Sequence, residues 1–192
     1  MRSGEITRKT NETDIKLKLI VDGTGVRNIQ TGVGFMDHML ELFAAHGNFD
    51  LSIACKGDTE VDFHHTVEDI GICLGKAIVE ALGDKRGIRR YASVTIPMDE
   101  ALSTVTIDLS GRPFLVYNVE VCGKTGDFDV ELIEEFMRAV SNCGGITLHI
   151  NNLYGNNNHH IIESVFKAFA RALKSASEII SDSVPSSKGM LE

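Results

Sequence analysis

Two stretches of this chain pair imidazoles with a carboxylate at helical spacing: "HHTVE" at 64–68 and "HHIIE" at 159–163. Residues four apart on a helix share a face, so His64 lies over Glu68 and His159 over Glu163. An imidazole and a carboxylate placed this way form half of a divalent-ion site. Adjacent helical residues point about 100° apart, so His65 and His160 face away from their neighbours, and each is free to serve a second ion. The repeated motif therefore suits two metals, each taking a His/Glu pair from one repeat and a lone His from the other. Mixed nitrogen and oxygen ligands favour Mn, Fe, Co or Zn over Ca or Mg, which prefer oxygen. One doublet alone would read more simply as a helix cap or a surface accident. Two copies in matching contexts decide for metal.

Further ligands must come from elsewhere. His38 in "GFMDHMLE" and Glu135 in "IEEFMRA" occupy related places ahead of the two doublets. His46, near a helix end, and His149, inside an alternating strand, read as structural. Positive charge is sparse and local: Arg89 and Arg90 in "RRYASV", Arg112 in "SGRP", Lys167 in the last helix, and Ser186, Ser187 and Lys188 in "SSKG". The last group could hold a phosphate with hydroxyl and ammonium donors, although any one of these cations taken alone reads as solvated surface. Glu12 in "TRKTNETDI" carries no signal by itself. Pro97 and Asp99 in "PMDEA" suggest a tight bend, and the pattern assigns no role to Asp99 or Glu100.

These side chains need elements to position them. "TDIKLKLIVDG" alternates Ile15, Leu17, Leu19 and Val21 with polar neighbours, a half-buried strand, and "FDLSIACKGD" reads as another. "GFMDHMLELFAAHG" places Met36, Met39, Leu40 and Phe43 at helical spacing between glycines. "HHTVEDIGICLGKAIVEALGD" is a second helix, with Val67, Ile70, Leu74 and Ile78 inward; Gly71 and Gly75 weaken it, so packing must hold it. "ASVTIPMDEALSTVTIDLSGRPFLVYNVEV" contains two or three strands with a turn at "SGRP". The order then recurs as the helix "DFDVELIEEFMRAVSNCGG", the strand "ITLHIN" and the long helix "HHIIESVFKAFARALKSASEII". Self-similarity of this kind predicts an α+β fold made by internal duplication. Each half is a small antiparallel sheet covered by helices on one face, and the two halves pack together. The boundaries expected are 1–92, 93–182, and a segment at 183–192 with no core pattern, either a frayed tail or a flexible arm.

At 192 residues and 43% apolar composition the chain can bury a real core, which excludes disordered and fibrous classes. A formal charge of −8 disfavours broad attraction to nucleic acid or an anionic membrane. The pattern contains neither a signal peptide nor an apolar run near membrane-spanning length. Cys55, Cys73, Cys122 and Cys143 are scattered without a CxxC, as expected of reduced thiols in a cytoplasm.

The pieces "GFMDHMLELFAAHG", "HHTVEDIGICLGKA", "PMDEALSTVTIDLSGRP", "ITLHI", "GNNNHHIIESVFKAFARAL" and "SSKG" together resemble the imidazoleglycerol-phosphate dehydratase family, from about Thr7 to Gly189. The resemblance implies a topology like the second domain of ribosomal protein S5 and a manganese enzyme of histidine biosynthesis in its monofunctional form. The family's reaction takes D-erythro-1-(imidazol-4-yl)glycerol 3-phosphate to 3-(imidazol-4-yl)-2-oxopropyl phosphate and water. The resemblance also implies two Mn(2+) per subunit and a 24-subunit shell with sites between neighbouring chains. By matching motif, His38, His65, His159 and Glu163 would bind one ion, and His64, Glu68 and His160 the other. Many members carry a further His where this chain has Glu135. Glu12, Arg90, Arg112, Lys167, Ser186 and Lys188 would contact substrate, with Glu12 moving protons. A di-metal phosphoester hydrolase and a non-catalytic, metal-stabilised assembly protein are the competing expectations.

Overall fold

Alternating apolar residues build the strands, and the helices cover one face of them. The computed structural model describes residues 1–187. The first half runs β1 (Ser3–Lys9), β2 (Thr13–Ile20), β3 (Arg27–Gln30), α1 (Gly34–Gly47), β4 (Asp50–Gly57) and α2 (His64–Leu82). The second runs β5 (Tyr91–Met98), β6 (Ala101–Asp108), β7 (Phe114–Asn118), the short hairpin β8 (Lys124–Thr125) and β9 (Phe128–Asp129), then α3 (Leu132–Gly144), β10 (Thr147–Tyr154) and α4 (Asn158–Ser177). The sheets have the orders β1-β2-β4-β3 and β5-β6-β10-β7, so the duplication extends to strand order.

The sheets are mixed, not purely antiparallel. β3 pairs with β4, and β7 with β10, in parallel. The reason lies in the connection: a helix carries the chain back across the sheet between each pair, so the second strand starts at the same end as the first. The patterns at β1, β3 and the β8–β9 hairpin are too short or too exposed to stand out in the sequence.

Ile15, Leu17 and Leu19 of β2 and Leu51 and Ile53 of β4 are buried beneath the first pair of helices; Val105, Ile107, Leu148 and Ile150 do the same beneath the second. The halves then exchange partners, α1 packing on α4 and α2 on α3. Phe43 of α1 stacks on Phe169 of α4 at 5.3 Å between centroids, across the halves, while Phe136 on Phe166 at 5.6 Å ties α3 to α4 within the second half. Each fully buried ring of this size contributes roughly 1.5–3 kcal/mol, and the buried residues of both halves form one continuous core. Gly71 and Gly75 let α2 approach α3 closely: a Cβ at Gly75 would meet the Gly144 amide nitrogen and the Val140 carbonyl oxygen, both at 2.8 Å. This contact is what holds the glycine-weakened helix.

Both doublets lie in first turns. The Asp62 carboxylate accepts the His64 N–H at 2.8 Å, and the Asn157 side-chain oxygen accepts the His159 N–H at 2.8 Å. A side-chain oxygen thus satisfies a free donor at the start of each helix and orients the histidines that follow.

Candidate metal centre and active site

The packing of α1 on α4 brings His38 to the second doublet. His159 Nε2 lies 3.3 Å and His38 Nε2 3.6 Å from Glu163 Oε2. Among the described residues these three form the group whose lone pairs converge tightly enough to share an ion. Two bonds of about 2.1 Å meeting at right angles place their donors about 3 Å apart, so small adjustments close the site. The set of two imidazoles and a carboxylate fits a transition metal. Glu163 is buried, and its other oxygen sits 2.6 Å from the Lys167 ammonium, which also contacts Met98 Sδ at 3.3 Å. Burial opposes the Glu163 charge, but Lys167, His38 and His159 outweigh it and hold the carboxyl below its ordinary range.

In the first doublet, His64 Nε2 lies 3.8 Å from Glu68 Oε2, the face-sharing pair expected from their spacing. The second histidine of each doublet has its own carboxylates. His65 Nδ1 is 2.9 Å from Asp58 Oδ2, and its Nε2 is 3.8 Å from Glu12 Oε1. His160 Nδ1 is 2.7 Å from Glu100 Oε2, and its Nε2 is 3.7 Å from Asp99 Oδ2. The Asp58 hydrogen bond raises the His65 pKa, and Glu100 does the same for His160; reciprocally, His160 foremost draws the Glu100 carboxyl down to about 2. Within one chain, therefore, His65 does not join His38, His159 and Glu163, nor does His160 join His64 and Glu68.

Asp58, Asp99 and Glu100 are neighbours of the doublets that the sequence reading left without a role. Asp99 and Glu100 form the tip of the β5–β6 hairpin, with Asp99 at φ 46°. The polar break at "PMDEA" signals this turn, but where its tip points is a tertiary matter. Glu12 occupies the matching turn between β1 and β2, where Thr10 Oγ1 accepts the Glu12 and Thr13 N–H groups.

A cleft of about 570 Å³ opens beside His38 and His159, walled by Phe35, Phe63 and the β8–β9 hairpin with Phe128. Phe35 meets His159 edge-on at 5.4 Å. A groove of about 610 Å³ elsewhere, lined by Arg2, His46 and Arg171, includes neither doublet. Of the expected substrate contacts, Arg112 is exposed just before β7, and Lys167 already pairs with Glu163. Arg90 is buried, bonded through Nε to Asp108 at 2.8 Å and through Nη1 to the Pro185 carbonyl at 2.8 Å. The Gly87 N–H donates to the Ser183 carbonyl and the Ile180 N–H to the Gly87 carbonyl. The last described segment is thus laid along residues 86–90, bringing Ser186 toward Arg90. Lys188 lies outside the described residues. Glu135 is half-exposed on α3 and faces Arg138 of its own helix at 3.8 Å, while His64 pairs with Glu68 and not with Glu135. His149 is exposed on β10, and the four cysteines are free thiols. No helix among the described residues is long and apolar enough to cross a membrane.

Comparison with known proteins bears on what this arrangement does. A sequence model of the imidazoleglycerol-phosphate dehydratase family matches residues 31–173. The imidazoleglycerol-phosphate dehydratase of Thermodesulfovibrio yellowstonii is 58% identical over 191 residues, covering 100% of both chains. That of Acetivibrio thermocellus is 58% identical over 193 residues, covering 99% of each. The crystal structure of the Staphylococcus aureus enzyme superposes with a TM-score of 0.82 at 42% identity, covering 91% of this chain and 97% of that one. The Pyrococcus furiosus structure, a complex with (S)-C348, gives 0.85 at 36% identity, covering 97% and 100%. With the whole chain aligned to such relatives and the duplicated sheet-and-helix unit reproduced in their structures, this protein belongs to the imidazoleglycerol-phosphate dehydratase family.

Proposed function

We propose that this dehydratase works with two manganese ions per chain, held by the histidine doublets, and that neighbouring copies complete each site. The observation that carries the reading is the convergence of His38, His159 and Glu163. A neighbouring copy would add His65 to that group. His64 and Glu68 would hold the second ion with His160 from another copy, since within one chain these residues lie in separate groups. Glu135 is proposed as a support near the second ion, less critical than His64 or Glu68. Shared ligands of this kind couple metal binding to association, and the assembly we propose is a closed 24-mer. We divide the chain at 1–92, 93–182 and 183–192, the last part carrying the phosphate-binding Ser186 and Lys188. Unpaired thiols support a cytoplasmic location.

The chemistry sets what the residues must do. Water leaves from a carbon attached to the imidazole ring, and the adjacent C–H has no carbonyl to acidify it, so the ring must serve as the electron reservoir. When bound, the metal ions supply Lewis-acid activation of that ring. His38, His64, His65, His159, His160, Glu68 and Glu163 act as ligands, presenting lone pairs from rigid first turns. Phe35, Phe63 and Phe128 wall the cleft and exclude water from a flat ring. The ring's electrons expel the hydroxyl, which departs with the C–O electron pair; Glu12, beside His65, then takes the proton from the neighbouring carbon, and that proton balances the hydroxide lost as water. The enol that results becomes the ketone. Lys167 of one copy, with Arg90, Arg112, Ser186 and Lys188 of neighbouring copies, would hold the phosphate, remote from the breaking bond, and so position the ring.

Glu163→Gln tests the centre. It removes a ligand charge and leaves Lys167 facing a neutral amide. Elemental analysis should find about one Mn fewer per chain, with product formation abolished. Full metal content with unchanged turnover would refute the assignment. Retention of phosphate on a ketone product separates dehydration from phosphoester hydrolysis, which would release inorganic phosphate.

A further inference from the structure

His65 and His160 occupy equivalent places in the duplication, and each has its Nδ1 on a carboxylate, Asp58 at 2.9 Å and Glu100 at 2.7 Å. The two carboxylates are not equivalent. Asp58 belongs to the link from β4 into α2, whereas Glu100 sits at the β5–β6 turn, whose counterpart in the first half carries Glu12. The two halves thus reach one contact from different points of the chain. Shared ancestry does not explain that, but a common demand at the histidines does. A carboxylate accepting Nδ1–H fixes the tautomer and leaves the Nε2 lone pair open. In both cases Nε2 is the nitrogen facing the second acidic side chain, Glu12 or Asp99.

We infer that Asp58 and Glu100 are positioning residues, holding His65 and His160 as Nδ1–H tautomers so that Nε2 is presented to a metal. This rests on the two-metal reading above. The two supports differ in a way that makes the idea testable. Glu100 Oε1 accepts backbone N–H bonds from Asn156 at 3.2 Å and Asn157 at 2.9 Å, so both of its oxygens are committed. Asp58 Oδ1 is buried with no partner among the described residues. In Glu100→Gln the amide carbonyl stays on the two backbone donors. Its NH2 group must then face His160 Nδ1, which drives the ring proton to Nε2 and blocks the ligand position. In Asp58→Asn the carbonyl can stay on His65 Nδ1, with the NH2 group in the partnerless position, so the tautomer survives.

The test uses the full-length protein stripped of metal: wild type, Glu100→Gln, Asp58→Asn and Asp58→Ala. Histidine ¹⁵N–¹H spectra, assigned with single His→Gln variants, report the tautomers, and MnCl2 titration followed by water-proton relaxation reports affinity. Glu100→Gln is expected to move the His160 proton to Nε2 and weaken Mn binding by about ten- to a hundredfold. Its metal-free thermal midpoint should stay near wild type, because the contacts that tie the hairpin to α4 remain. Asp58→Asn should stay near wild type in both readouts, and Asp58→Ala should weaken binding as Glu100→Gln does. Wild-type Mn affinity in Glu100→Gln, with Nδ1–H retained, would overturn the inference. A wild-type chain that takes up no Mn would instead overturn the two-metal reading, and the tautomer spectra then decide the positioning role by themselves.

Discussion

Replacing Gly75 by Ala sets two effects of opposite sign against each other on the helix that carries His64, His65 and Glu68. Alanine favours the helix by about 0.8–1 kcal/mol over glycine. The added Cβ, however, would lie 2.8 Å from the Gly144 nitrogen, 2.8 Å from the Val140 carbonyl oxygen and 3.0 Å from Cys143 Cβ. The first two are backbone atoms of α3 or its end and cannot rotate away, so α2 and α3 must separate. Overpacking typically costs about 1–3 kcal/mol, and rigid neighbours place this case in the upper part, about 2–3 kcal/mol. Packing wins by about 1–2 kcal/mol, which lowers the midpoint of a chain this size by about 2–8 °C. Urea unfolding of the metal-free protein measures it, with Lys76→Ala on the exposed side of the same helix as a control expected within about 0.5 kcal/mol of wild type. Mn affinity should fall as well, since the first turn of α2 shifts with the helix. A Gly75→Ala variant as stable as wild type, or stabler, would refute the claim that close packing on α3 holds α2.

Acid stability offers a second test. Asp22 is held down to about 2 from an ordinary value of 3.8, chiefly by its hydrogen bond to Arg2. A depressed carboxyl pKa stabilises the fold above the unfolded value, and that contribution disappears as pH falls from about 4 toward 2. Asp22→Asn should therefore be less stable than wild type at neutral pH and converge with it across that window. Because the Asp22 side chain is 39% exposed, screening keeps the gap to about 1 kcal/mol or less; a gap that widens on acidification would reverse the sign. If the proposed 24-mer is held by shared manganese, chelation should dissociate it into smaller species and abolish activity, both returning with Mn, as mass photometry and turnover can follow. A fully active, metal-loaded monomer at nanomolar concentration would exclude sites shared between chains.

Much of the site is local geometry and could be read from spacing. His64 over Glu68 and His159 over Glu163 follow from the 3.6-residue turn alone, and both pairs are present. The inward residues of β2, α1 and α4 were equally legible, because burial follows their period. Similarity of several motifs in order identified the family and its reaction before any coordinate was needed. Other features depended on how elements meet. The parallel pairing of β3 with β4 is set by a helix crossing the sheet, and the half-exposed edge strands β1 and β3 carry too weak an alternation to announce themselves. That His38 reaches His159 and Glu163 follows from α1 lying on α4, through contacts such as Phe43 on Phe169, between residues far apart in the chain. Arg90 reads as a free cation in the sequence, but it is buried against Asp108 and the Pro185 carbonyl. Asp58 and Glu100 were silent for the same reason: a carboxylate in a loop or hairpin tip is unremarkable until packing aims it at an imidazole. Periodicity reports which face of an element is buried, but not which distant element will cover it, so only the tertiary structure decided which histidines converge and what holds them.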